Sequence, residues 1–381
     1  MPKLILDVMG GDYGLRANLD GALQALPELS GELILVGDEK LILEAFAQDR
    51  HLKPLAQALN AETAPCIVRI SHAPESIEME DKIKAIRSKP GASINVGCKL
   101  ARESWQAYKK EGKEPAAFLS SGHSGAMMAS ALLNMGRIKG VERPAIAVKL
   151  PSLSIDGCVI LDVGANIECT PENLRDFAVM GALYSHVGRV SKAIPKVAVL
   201  SNGEERTKGT PLTRACVELI EKLPCFKGTD AIGEFHGYTE GKEIFKGHID
   251  VVVTDGFTGN LILKSAEGFG SAIVHMIKAE AKKNPLAKIG MAIAAPVFFR
   301  LKKKLDYAET GAAPLLGIAG YAFVGHGRSN ARAIKNALLS AQTALRSKFV
   351  ERMEEAIAAQ TAATAASSAA AARSADLTGA K

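Results

Sequence analysis

An α/β protein built on a doubly wound, mostly parallel sheet is what this sequence predicts. Three observations lead there. Short runs rich in Val, Ile and Leu recur at residues 4–8, 33–36, 67–70, 116–119, 146–150, 159–163, 197–200 and 251–254. Segments of helical periodicity fall between them, at 18–25, 94–109, 126–134 and 213–222. The apolar runs also end in turns crowded with Gly, Asp, Asn and Ser.

A chain of 381 residues is ample for a sizeable core, and 47% apolar with 23% charged residues is ordinary for a soluble protein. Aromatic residues make up 5%, which argues against a stacking platform for nucleic acid. The 35 glycines suit tight strand-to-helix turns instead. A net charge of +6 is mild, so its placement matters more than its size. Cys66, Cys98, Cys158, Cys169, Cys216 and Cys225 show neither zinc-site nor disulfide spacing and read as buried thiols of a reducing cytoplasm. The first apolar run is interrupted by Asp7 and is too short for a signal peptide. The uncharged run 311–325 contains Pro314 and falls short of a membrane span.

Taken in order, the strand exits read MGGD (9–12), GDE (37–39), SGHSGA (121–126), DVGAN (162–166), SNGEE (201–205) and DGFTGN (255–260). Parallel strands place such exits along one edge, where ligands bind. Backbone N–H groups at helix starts take anions, so the turns favour a phosphate-bearing ligand. The candidates are Gly10, Gly11, Asp12, Ser121, Gly122, Ser124, Gly125, Asn166, Thr258 and Asn260. Neither GxxxxGK[ST] nor GxGxxG occurs, which speaks against a nucleotide. Arg87, in the basic stretch 81–93, is either an anion clamp or part of a solvated loop. Lys208, on the SNGEERTKGT turn, can act as a point charge for phosphate. Asp255 either caps the following helix or works in the cleft.

Residues 282–304 carry seven basic side chains and no acidic ones around an apolar stretch broken by Pro296. We read a helical hairpin over 261–306, turning near 284–296, whose tip exposes Met291, Ile293, Val297, Phe298 and Phe299. Two partners fit that tip, a second subunit or an anionic membrane surface. A last helix spans 331–352, and the Ala-rich end from 356 reads as a loose tail. One catalytic domain is thus expected over 1–350, with 351–381 holding the helix end and tail. A rival reading is a serine hydrolase with Ser124, Asp255 and His326, although Ala126 stands where the nucleophile elbow would close with glycine.

Together and in this order, DVMGGD, SGHSGA, GRIKGVERPA, LDVGAN, SNGEERTKGTPLT and VVVTDGFTGN closely resemble the bacterial acyl-carrier-protein:phosphate acyltransferases of phospholipid synthesis, over about residues 1–350. The resemblance implies a three-layer α/β sandwich related to isopropylmalate dehydrogenase, usually a homodimer. It also implies transfer of a fatty acyl group from acyl carrier protein to inorganic phosphate, with no metal or other cofactor. The resulting acyl phosphate would serve a membrane glycerol-3-phosphate acyltransferase, so a cytoplasmic protein resting peripherally on the inner face of the cell membrane is expected. The family's functional lysine falls on Lys208 and its aspartate on Asp255. Two departures stand out: Tyr13-Gly14 follows Asp12 where relatives commonly carry His, and His123 replaces a common Asn.

Overall fold

The computed structural model describes residues 2–78, 80–187, 189–191, 193–305 and 311–362, leaving out the side chains of Phe299 and 301–305. Two sheets organise them. The first has the order β3 (Cys66–His72), β2 (Gly31–Gly37), β1 (Lys3–Asp7), β4 (Ala116–Ser120), β12 (Tyr321–Gly325), β11 (Ala312–Leu316) and β5 (Ala145–Ile146). The second runs β6 (Val148–Leu150), β7 (Cys158–Leu161), β10 (Val251–Val253), β8 (Lys196–Leu200) and β9 (Glu234–Thr239). Pairing is parallel from β3 through β12 and from β7 through β9. Only the edges contributed by β11, β5 and β6 are antiparallel. The α/β architecture expected from the sequence holds, with its sheet divided in two.

Helices cover both faces of the strands, so parallel strands appear as continuous apolar runs rather than alternating ones. Every residue of β4, β10 and β12 is buried. The run 146–150, expected as one strand, serves both sheets: Ala145–Ile146 pairs with β11 and Val148–Leu150 with β7. Nothing in the sequence marks that division. The uncharged run 311–325 forms β11 and β12, with Pro314 opposite Phe323 and Gly317 and Gly320 at positive φ in the turn. Proline and glycine are poor strand signals, which is why this pair was not expected.

On one face of the first sheet α1 (Gly14–Ala25) packs against α12 (Ala331–Ser347). A Cβ on Gly21 would lie 2.4 Å from that of Ile334, so only glycine permits the approach. On the other face, α5 (Ser93–Glu111) brings Gly97 onto the Phe118 ring. A continuous core joins Leu6 and Leu35 of the first sheet, Val159 and Val253 of the second, and Phe177 of α7 (Pro171–Ser185).

Two expectations about the ends of elements need correction. Lys348 takes φ 52°, closing α12, and residues 349–362 form a further helix that buries Phe349, Met353 and Ile357. The end is therefore docked through residue 362 and not loose from 356, while 363–381 lie outside the described residues. The hairpin consists of α10 (Gly256–Lys283) and α11 (Pro285–Leu305), turning at Asn284 alone. Pro296 sits inside α11 and does not break it. Ala292, whose carbonyl loses its helical partner, is exposed, so water can take the vacant bond.

Candidate active site

The first rim lies where β1 and β4 part company, the point at which strand order reverses and ligands tend to bind. Asp7 ends β1 with a fully buried carboxylate that accepts the Ser120 hydroxyl at 2.7 Å and the Met9 N–H at 3.0 Å. Burial pushes this carboxyl up, while hydrogen bonds from Ser120, Ser93, Met9 and Gly10 pull it back. The buried Asn18 amide reaches the carbonyls of Gly10 at 2.8 Å and Gly14 at 2.9 Å, fixing the same turn. A Cβ on Gly10 would lie 2.7 Å from the Gly122 nitrogen, so the MGGD and SGHSGA turns touch.

Internal bonds remove several expected anion donors. Gly10 N–H points to Asp7, Gly122 N–H goes to Ser120 Oγ at 3.1 Å, and Asp12 N–H goes to the Gly327 carbonyl at 2.8 Å. The Asp12 carboxylate also lies 3.8 Å from Arg328 Nε. Ser121 is buried with its hydroxyl against Gly325. Donors remain at Gly11, His123, Ser124 and Gly125, whose N–H groups meet no acceptor among the described residues. The His123 ring caps α6 (Ser124–Ser130) by accepting the Ala126 N–H. Arg87 belongs to a short helix, α4 (Ala85–Ser88), in a segment that packs Ile83 against Gly125. Its side chain is exposed there.

Asp162 plays the corresponding part on the second rim. Its Oδ1 accepts N–H groups of Ile146 at 3.0 Å, Gly164 at 3.2 Å and Ala165 at 3.0 Å. Its Oδ2 accepts the Asn166 backbone at 2.6 Å and side chain at 2.9 Å. Burial raises this carboxyl and the donors oppose it. The DVGAN turn is thus a nest already filled by its own carboxylate, not an open anion site. Asn166 spends its other amide hydrogen on Pro144 O at 2.7 Å, and its carbonyl accepts the Gly256 N–H at 2.7 Å.

Asp255 caps α10: Thr258 donates both its N–H and its hydroxyl to the carboxylate, each at 2.8 Å. Thr258 therefore has no hydroxyl proton left for a ligand in this arrangement. Asn260 is exposed and lies beside Gly164. The SNGEERTKGT loop leaves from β8, the strand next to β10. Asn202 Oδ1 accepts the Gly209 N–H at 3.0 Å, and Arg206 is drawn to Glu221 at 2.6 Å. Lys208 is exposed and, among the described residues, has no ion-pair partner.

His326 follows β12, and the charges of Lys264, Glu267, Arg328 and Asp12 act on its ring. Burial first, then Lys264, holds its ring below the usual 6.5. Sequence reasoning missed Asp7, Asn18, Ser120 and Asp162. The available signal was an Asp-Val pair closing an otherwise apolar run, at Asp7-Val8 and again at Asp162-Val163. Among the described residues no group of His, Cys, Asp or Glu gathers as metal ligands would.

The hydrolase triad is not assembled. His326 Nδ1 accepts the Arg328 N–H at 3.0 Å, whereas a triad histidine would donate there to the aspartate. Both Asp255 oxygens are engaged by Thr258. Of the hairpin residues, Ile293 is 77% and Val297 59% exposed, Met291 and Phe298 are half-buried, and the Phe299 side chain lies outside the described residues. All belong to α11, beyond the turn. No described helix is long and apolar enough to cross a membrane.

A family model described as "Fatty acid synthesis protein" matches residues 2–352. The chain is 42% identical to a phosphate acyltransferase from Myxococcus xanthus, covering 88% of each chain. It is also 42% identical to a phosphate acyltransferase from Elusimicrobium minutum, covering 93% of this chain and 96% of that one. Among solved structures, a phosphotransacetylase from Staphylococcus aureus superposes with a TM-score of 0.50 at 16% identity, covering 91% of this chain and 94% of that one. That likeness establishes a shared fold. Nothing among these relatives favours the hydrolase.

Proposed function

The chain belongs to the fatty acid synthesis protein family, and from that footing we propose how its cleft works. It is a phosphate acyltransferase. A phosphate oxygen attacks the carbonyl carbon of a fatty acyl thioester on acyl carrier protein, the carbon–sulfur bond breaks, and the thiolate leaves to take a proton. Acyl phosphate and free carrier are the products.

Phosphate near neutral pH is partly a dianion, so the attack needs no strong base. The requirements are to hold the anion about 3 Å from the carbonyl carbon and to stabilise the oxyanion that forms. Lys208 supplies an unpaired cation for phosphate, assisted by exposed Arg87. The N–H groups of Gly11, His123, Ser124 and Gly125 supply the donors. Asp255 sets the start of α10 through Thr258. One observation carries this reading: the MGGD and SGHSGA turns touch at Gly10 and Gly122 and leave the N–H groups of Gly11, His123, Ser124 and Gly125 open together at the start of α6.

The finer partners follow from the same chemistry. The acidic carrier docks on the basic hairpin, where Lys278, Lys282 and Lys288 are available. Exposed Ile293 and Val297 meet the inner membrane surface. A homodimer delivers acyl phosphate to a membrane glycerol-3-phosphate acyltransferase. The deciding assay mixes purified chain with acyl carrier thioester, with and without inorganic phosphate, and follows thiol release. Release dependent on phosphate is expected. Equal release in plain buffer would mean hydrolysis and remove the proposal.

A further inference from the structure

Of the six arginines between residues 137 and 214, five are spent within the chain. Arg137 reaches the Glu142 carbonyl and Arg214 that of Gly209. Arg175 pairs with Asp176, Arg189 with Asp156 and Asp250, and Arg206 with Glu221. Arg143 is the exception: its side chain is exposed and, among the described residues, has no hydrogen-bond or ion-pair partner. The residues on both sides of it are nonetheless held. The Glu142 carboxylate accepts the Asn173 amide at 2.9 Å, and the carbonyl of buried Pro144 accepts the Asn166 amide at 2.7 Å. A free guanidinium thus stands on a fixed turn tied to the exit of β7.

Cys169 relates that turn to the start of α10. Its Sγ lies 3.7 Å from the Asn166 carbonyl, which also takes the Gly256 N–H. Burial pushes this thiol up to about 11, Asp162 and Asp255 push the same way, and the Gly256 N–H and the Arg143 charge oppose them. β10, which leads into Asp255, pairs with β7 on one side and β8 on the other, both in parallel. Neighbouring strands lie about 4.8 Å apart, so the three exits share an edge about 10 Å wide. Lys208 lies back over the β8 exit, since a Cβ on Gly203 would meet its Cγ at 2.9 Å.

We propose that Arg143 is a second cation for the phosphate co-substrate, gripping it from the β7 side of Asp255 while Lys208 holds it from the β8 side. The inference rests on the phosphate acyltransferase reading and deepens it by one binding residue. A guanidinium fork takes two phosphate oxygens at once and fixes the anion's orientation, which a compact ammonium does not. A further oxygen is left to face the thioester carbon. The anchored backbone beneath Arg143 keeps the cost of ordering that fork low.

The test varies phosphate and carrier thioester separately with the full chain and its Arg143→Gln and Arg143→Lys variants. Arg143→Gln is expected to raise the KM for phosphate by about tenfold or more, the worth of one charge-assisted hydrogen bond. Arg143→Lys should recover part of that loss, and the KM for the thioester should stay near the parent value in both. The urea midpoint should not move, because the side chain holds nothing within the fold. Equilibrium dialysis of labelled phosphate reads the same site without turnover, and Arg143→Gln should bind more weakly there too. An unchanged KM for phosphate overturns the proposal. A rise for the thioester alone overturns it as well, since the fork would then serve the phosphodiester of the carrier's prosthetic arm. A lowered urea midpoint with unchanged phosphate binding would make Arg143 structural. If the parent chain releases no thiol in response to phosphate, the reaction assignment itself fails.

Discussion

The Ser120 hydroxyl donates to the Asp7 carboxylate at 2.7 Å and accepts the Gly122 N–H at 3.1 Å, so one small side chain joins the exits of β1 and β4. Both bonds are buried. Ser120→Ala removes a donor from a buried carboxylate and leaves Gly122 without its acceptor. The expected cost is about 1–3 kcal/mol of stability, read from urea unfolding. Turnover should fall as well, because the same turn positions the Ser124 and Gly125 donors. A variant as stable as the parent would deny this bond its role.

Gly259 offers a test in which sign matters more than size. A Cβ there would lie 1.9 Å from the Asp162 carbonyl oxygen, a contact no side chain tolerates. Gly270, further along the same helix, has open space around that position. Gly to Ala inside a helix ordinarily gains up to about 1 kcal/mol, and Gly270→Ala should do so. Gly259→Ala should instead lose about 1–3 kcal/mol by overpacking, and shift the start of α10. Thermal unfolding of the two variants side by side decides it.

How much of this was legible depends on what each residue answers to. Buried parallel strands such as Val251–Val253 respond to local pattern and were readable. The division of residues 145–150 between two sheets answers to partners far along the chain, β11 and β7, and no local signal records it. The other glycine turns were rightly located, but DGFTGN is no turn, since α10 already begins at Gly256 with Asp255 as its cap, and backbone donors cannot be counted from letters. Asp162 looks like any turn aspartate in sequence, yet it consumes the N–H groups of Gly164, Ala165 and Asn166. Likewise, Ile357 stands in an Ala-rich end without an obvious amphipathic face, and only its burial, beside Gly140, shows the docking.

His326 gives the cleft a pH dependence. Its ring is held below the ordinary 6.5 mainly by burial and by Lys264, and its Nδ1 accepts the Arg328 N–H. The folded chain therefore binds fewer protons than the unfolded chain as pH drops below that value. Stability present above the ordinary value is lost as pH falls through the folded one. The urea midpoint should decline from about pH 7 to pH 5. His326→Asn keeps an acceptor that does not titrate and should flatten part of that slope; an identical slope would show that His326 contributes none of it.

Lys208 separates chemistry from scaffolding because it has so little structural work. Its side chain is exposed, and the loop beneath it is fixed by Asn202, Gly209 and the Thr210 cap of α8 (Pro211–Glu221). Lys208→Ala should thus leave stability within about 0.5 kcal/mol. If its ammonium holds phosphate against the thioester, kcat/KM should drop by at least about 100-fold, comparable to losing one oxyanion donor. Lys208→Arg keeps the charge but replaces a compact ammonium with a planar fork, so an intermediate loss is expected. Raising phosphate should rescue the Ala variant only if the lysine merely binds the anion. A depressed kcat at saturating phosphate would assign it to the transition state, while near-normal turnover would take Lys208 out of the reaction.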